Sequence, residues 1–340
     1  MKVSGALFRA RRAARAVGRE VSTEVDRARY RRTGGADLAL FHELAPAPTG
    51  GGHQFLRALL GELERRGLEV ELNRISRGTR ACLFNSFNFD FRRLRRFARP
   101  DCRMVHRVDG PIGVYRGFDD GTDARIAVVN RDLADATVVQ SRYSLDAHRE
   151  LGIELRAPVV IRNGVDPALF HPPERREPLH GRKVRLIGVS WSDNPGKGGD
   201  VFAWLDEHLD AERYELTFVG RSPASFRRIR VRGPLPSREL AEELRAHDLY
   251  LAPSRNDPCS NALLEALACG LPAAFRASGG HPELAGEAGL PFVSAEELPE
   301  VLDRLVFELE ERRGAIAVPS LAEVSNDTLP PRCSVRRSIR

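Results

Sequence analysis

From Asp37 to Arg162, short apolar runs of strand length alternate with segments whose apolar residues recur at helical spacing. After a proline-rich stretch the same alternation restarts at Val184. The first series predicts strands over Asp37–Leu44, Leu68–Asn73, Ala81–Phe87, Arg103–Asp109, Thr137–Ser141 and Pro158–Arg162, with helices near His53–Arg66, Asp123–Asp135 and Ser144–Leu151. The second predicts strands over Val184–Trp191, Glu215–Val219, Ile229–Gly233, Leu249–Ser254 and Pro272–Phe275, with helices near Asp200–Leu209, Ser237–Ala246 and Ser260–Cys269. Such alternation needs crossover connections, so each series should form a parallel sheet covered on both faces, with ligands at the carboxyl ends of its strands. The predicted class is α/β, two Rossmann-like parallel-sheet domains with a cleft between them. Its parts are a leader (1–35), a first domain (36–165), a hinge (166–182), a second domain (183–313) and a tail (314–340), and 340 residues is the right length for two cores.

Charge and cysteine usage narrow the function classes. Residues 1–32 hold ten positive charges against three acidic ones, a net +7, so the remaining 308 residues sum to about −1. A globally basic, nucleic-acid-binding surface is therefore disfavoured. Val3, Leu7, Ala10, Ala14, Val17, Val21 and Ala28 recur at spacings that allow a basic amphipathic helix, and peripheral attachment to an anionic membrane surface is the functional reading of the leader. A solvated leader is the plainer one. No apolar run reaches the 18 or so residues of a membrane span, and no signal peptide is apparent. The five cysteines are odd in number and form no CxxC, which argues for reduced thiols in a cytoplasm and against a zinc site.

The stretch Leu249 to Val293 concentrates candidate chemistry. A strand, a polar loop and a helix follow one another, which aims the helix N-terminus past the strand end, where phosphate commonly binds. Asp257 and Glu265 lie eight residues apart, about 12 Å along a continuous helix. That is too far for two carboxylates flanking one bond and suits the ends of an extended ligand. Alternatively Asp257 caps the helix and Glu265 is a solvated helix residue. At other predicted strand ends stand Thr49-Gly50-Gly51-Gly52, Asn85 and Asn88, and His106 with Asp109 in MVHRVDG. The glycine run is neither GxGxxG nor a P-loop. Lys197, between glycines in WSDNPGKGG, is one of three lysines among fifty arginines and can meet a diphosphate as a point charge.

Taken in order and spacing, the glycine run, VIRNGVD (Val160–Asp166), the KG loop, the acid pair with ALACGLP, and SGGHPEL (Ser278–Leu284) resemble the retaining GT-B glycosyltransferases of family 4, over about residues 37–310. The resemblance implies a GT-B fold with an N-terminal acceptor domain and a C-terminal domain binding an NDP-sugar. It implies ribose binding by Glu265, sugar contacts by Asp257 and His106, and diphosphate binding by Lys197. Gly51, Gly52, Cys259, Ser260 and Asn261 complete the implied donor site. His106, Asp257 and Lys197 are the implied catalytic set, with no metal or cofactor expected, since no D-x-D is present. The expected reaction is retaining transfer of a sugar from an NDP-sugar to a hydroxyl acceptor, a saccharide or lipid-linked saccharide, in cell-surface polysaccharide or glycolipid synthesis. A GT-B nucleotide-sugar epimerase and a non-catalytic, membrane-associated nucleotide-sugar binder are the alternatives. This chain departs from the pattern at Asp257, where Glu is usual, at Pro258-Cys259-Ser260, where the family has a Gly-rich segment, and at Trp191, where a basic residue is common. Helical periodicity also fades after about Val324, so a truncated or disordered crossover helix is expected.

Overall fold

The computed structural model describes residues 34–45, 50–190, 192, 194–221 and 225–328. The basic leader, Thr49, Trp191 and Cys333 lie outside the described residues, and with them the membrane-attachment expectation. No helix among the described residues is long and apolar enough to cross a membrane.

The first domain contains β1 (Leu38–Phe41), α1 (Gly51–Arg65), β2 (Val70–Leu72), β3 (Ala81–Asn85), α2 (Phe91–Phe97), β4 (Arg103–Val108), α3 (Ile112–Arg116), α4 (Thr122–Leu133), β5 (Ala136–Val139), α5 (Arg142–Glu150) and β6 (Pro158–Val160). Its sheet order is β2-β1-β3-β4-β5-β6, with every pair parallel. The second domain contains β7 (Val184–Ser190), α6 (Gly199–His208), β8 (Tyr214–Gly220), β9 (Arg230–Arg232), α7 (Ser237–Arg245), β10 (Leu249–Ala252), α8 (Asn261–Ala268), β11 (Ala273–Arg276), α9 (His281–Ala285), β12 (Gly289–Phe292), α10 (Leu298–Phe307) and α11 (Leu309–Gly314). Its order is β12-β11-β10-β7-β8-β9, again all parallel. This is the predicted pair of doubly covered sheets. Each carries an apolar cluster on either face, which is why central strands such as LALF and LYLA are buried at every position.

The structure adds elements that periodicity did not reveal. β12 is the edge strand of its sheet, where Pro291 is tolerated. α2 and α3 are too short, at seven and five residues, to show a helical repeat. Of the crossover expected to be truncated or disordered, residues 329–340 lie outside the described residues, but helical structure runs four residues beyond Val324. A helix, α12 (Leu321–Thr328), returns to the first domain, where Leu321 and Val324 join the apolar cluster between α1 and the sheet. At the hinge the two chain crossings pair: Val165 N–H donates to Pro319 O at 3.0 Å and Leu321 N–H to Val165 O at 2.9 Å.

The domains also meet away from the hinge. The carboxylate of Glu283, on α9, accepts the Arg142 and Tyr143 amides at 2.9 Å each, so the second domain caps α5 of the first. Gly110 faces Pro258 so closely that a Cβ there would lie 2.7 Å from the proline ring.

Candidate active site

The carboxyl ends of the two sheets face a cleft of about 450 Å³ lined by both domains. On the second domain's wall, a tight turn over Pro195–Lys197 follows β7. Asn194 accepts the Gly196 amide at 2.8 Å to start it, and Gly198 ends it at φ 79°, where a Cβ would fall 2.6 Å from Pro253. The turn aims Lys197 at the cavity. Its Nζ donates to Asp257 Oδ2 at 2.7 Å and lies 5.1 Å from the ring centroid of Tyr115, a first-domain residue. Burial works against both charges, and each charge answers for the other. The Asp257 carboxylate holds the Lys197 ammonium above its ordinary range, and the Lys197 charge holds Asp257 below the usual carboxylate range.

Asp257 is not the cap of α8. Ser260 is, its Oγ accepting the Leu263 amide at 3.3 Å, while Asp257 Oδ1 accepts the Cys259 amide at 3.2 Å within the preceding loop. Nor is Glu265 a solvated helix residue. It lies buried on the cavity wall, and burial pushes its carboxyl up to about 8, which favours the protonated form at neutral pH, a form that can donate a hydrogen bond. Asn261, the first residue of α8, bridges the domains: its Nδ2 donates to Gly51 O at 2.8 Å and its Oδ1 accepts from Asn163 at 2.7 Å. Burial raises the Cys259 thiol to about 12, which makes it inert as a nucleophile at neutral pH.

On the first domain's wall, Gly51 and Gly52 open α1. Beside them Arg107 is buried against the Phe55 ring, its Cζ 4.5 Å from the centroid. It donates to Asn85, to Asp109 at 3.0 Å and to Asn163 at 2.8 Å. Asp109 further accepts from Gln140 and from Ser86 Oγ at 2.8 Å.

The structure thus brings Gly51, Gly52, Lys197, Asp257, Cys259, Ser260, Asn261 and Glu265 to one cavity. His106 is the correction. It is fully buried, stacked on Phe84 at 4.3 Å, with Nε2 3.0 Å from Ser86 O and Nδ1 3.1 Å from Asn130 Nδ2, and it does not line the cavity. Burial lowers its pKa to about 4. The strand's two-residue period explains the difference: His106 points to one face, Arg107 to the other, and Asp109, past the strand's end, opens to the cavity. Arg107 and Asn163 stood unremarked inside MVHRVDG and VIRNGVD, and Gln140 and His53 carried no sequence signal. Among the described residues no three His, Cys, Asp or Glu side chains converge as a metal site would require.

Residues 195–308, which hold Lys197, Asp257 and Glu265, match the family model of glycosyl transferases, group 1. No curated protein matches the sequence significantly. Among solved structures, sucrose-phosphate synthase from Thermosynechococcus elongatus superposes with a TM-score of 0.67 at 16% identity, covering 85% of this chain and 96% of that one. HepE from Anabaena, in complex with UDP and glucose, gives 0.64 at 15% identity over 86% of this chain and 98% of its own. WaaG, a glycosyltransferase involved in lipopolysaccharide biosynthesis, gives 0.55 at 14% over 85% and 94%. The chain has the GT-B glycosyltransferase fold, and its second domain carries the group 1 glycosyltransferase signature.

Proposed function

We propose that the protein transfers a sugar, with retention at the anomeric carbon, from an NDP-sugar to a hydroxyl of a saccharide or lipid-linked saccharide in cell-surface polysaccharide or glycolipid synthesis. The observation that carries this reading is the Lys197–Asp257 ion pair in one interdomain cavity whose wall also holds the buried Glu265. Lys197 is the cation for the diphosphate, and Asp257 holds it in place. Glu265 serves the ribose, and as an uncharged acid it does so without repelling phosphate. The amides of Gly51 and Gly52, at the N-terminus of α1, add partial positive charge on the opposite wall.

Stabilisation of the departing diphosphate is then electrostatic and needs no metal. The leaving phosphate oxygen accepts the proton of the attacking hydroxyl on the same face of the sugar, so no side chain acts as nucleophile. The protonated Cys259 fits that absence. Closure of the two domains over the donor would keep water from the reacting bond. An NDP-sugar is a cytoplasmic metabolite class, which with the thiol usage supports a cytoplasmic site of action.

A panel of NDP-sugars tests the reading, with UDP-glucose among the first because a similar fold binds UDP and glucose. Slow release of NDP and free sugar is the expected result, whereas sugar isomerisation or binding without turnover would overturn it. Glu265→Ala should abolish donor binding by calorimetry, and unchanged affinity would refute the ribose role.

A further inference from the structure

The first domain holds a histidine pair beside the cavity. His42, just after β1, is buried, and His53, in the first turn of α1, lines the cavity. His42 Nε2 and His53 Nδ1 are 2.8 Å apart. The Ala45 amide also points at His53 Nδ1, at 3.4 Å, while His42 Nδ1 is buried without a hydrogen-bond partner. These contacts select one tautomer. With the shared proton on His53 Nδ1, that N–H would face the Ala45 N–H, and neutral His42 would carry its own N–H on Nδ1, buried with no acceptor. With the proton on His42 Nε2, His53 Nδ1 accepts from both neighbours and His42 is left only a spare lone pair, a lesser defect than an orphaned N–H. Neutral His53 then has its proton on Nε2, at the ring tip away from His42. Among the described residues no partner takes that proton.

Both rings are biased toward the neutral form. Burial and Arg57 lower the pKa of His53, and burial with the His53 ring beside it brings His42 to about 4. Asp109 lies close enough to oppose both shifts, and it too lines the cavity. A carboxylate has about four lone-pair sites, so Asp109 keeps accepting capacity beyond Arg107, Gln140 and Ser86.

We propose that His53, locked as the Nε2–H tautomer by His42, donates a hydrogen bond to a hydroxyl of a sugar ring in the cavity, and that Asp109 accepts one from the same ring. A neutral donor next to a carboxylate suits a hydroxyl, which both accepts and donates. The ring and the carboxylate do not suit a diphosphate, which Asp109 repels and which Lys197 and the Gly51 and Gly52 amides can meet instead. His53 is the contact residue and His42 the positioning residue. The proposal rests on the glycosyltransferase reading and names a sugar subsite within it. The ring belongs to the nucleotide sugar or to the acceptor saccharide, and pyranose hydroxyls are common to both.

The test begins with the tautomer in the ¹⁵N-labelled full-length chain, read from two-bond ¹H–¹⁵N correlations. His53 is expected to be protonated at Nε2, and His42→Phe to let both tautomers populate. Binding is then compared for the tightest nucleotide sugar of the panel and for its nucleoside diphosphate alone. His53→Ala should weaken the nucleotide sugar by about five- to tenfold and leave the diphosphate unchanged, the scale of one neutral hydrogen bond. His53→Gln, which keeps a neutral N–H at similar reach, should restore most of that loss. If the loss appears instead for methyl α-glucoside added to the diphosphate-loaded protein, the acceptor's ring occupies the subsite. A His53 protonated at Nδ1, or both sugar affinities unchanged in His53→Ala while Glu265→Ala abolishes nucleotide-sugar binding, would overturn the subsite alone. A wild-type protein that binds no nucleotide sugar would overturn the glycosyltransferase reading and the subsite together.

Discussion

Glu265 ordinarily would ionise near 4.5, and burial in the cavity wall moves it to about 8. Between those values the folded chain keeps a proton that the unfolded chain has released. Each unit of rising pH therefore removes about 1.4 kcal/mol of stability through this one group, until it ionises in the folded state too. In Glu265→Gln, which has the same shape and no charge to bury, thermal midpoints should fall less from pH 5 to pH 8 than in the wild type, and below pH 4.5 the two should share the same slope. Parallel declines across the whole range would show that the wild-type carboxyl is not held protonated. At this scale the sequence was informative about which residue types gather at strand ends and silent about which way they turn. His106 and Asp109 stand three residues apart in one motif, yet one is sealed behind Phe84 and the other opens to the cavity. A single-residue register decides that, and only the folded sheet displays it.

Among the elements, α5 shows how the two domains hold each other. Its own N-cap, Ser141, accepts the Ser144 amide at 3.0 Å, but the Arg142 and Tyr143 amides are taken by Glu283 from the other domain. A carboxylate at a helix N-terminus contributes typically 0.3–1 kcal/mol at an exposed site. Glu283→Ala should therefore loosen the closed arrangement without unfolding either domain, seen as a larger radius of gyration in small-angle scattering at unchanged far-UV circular dichroism. An unchanged radius would mean that the hinge and the Asn261 bridge suffice. Most elements were legible in the sequence because strands buried on both faces read as unbroken apolar runs and the longer helices show their period. β12 was not, being four residues with a proline, nor was α10, which is as long as α6, and α12 was legible only to about Val324.

At the scale of the molecule, the crossover helix joins the segment after the second domain to the first domain. Leu321 is fully buried between α12, α1 and the first sheet. Leu321→Ala should destabilise the first domain by about 2–5 kcal/mol, as truncations of buried leucines do, with a lowered urea midpoint as the measure. A change within about 0.5 kcal/mol, the range of ordinary surface substitutions, would mean that α12 does not complete that core. This dependence also bears on how the protein comes into being. Chains emerge from the ribosome N-terminus first, and domains generally fold in that order. Here the first domain cannot close its core until residues 321–328 have been made, after the whole second domain, so the half synthesised earliest is the half finished last.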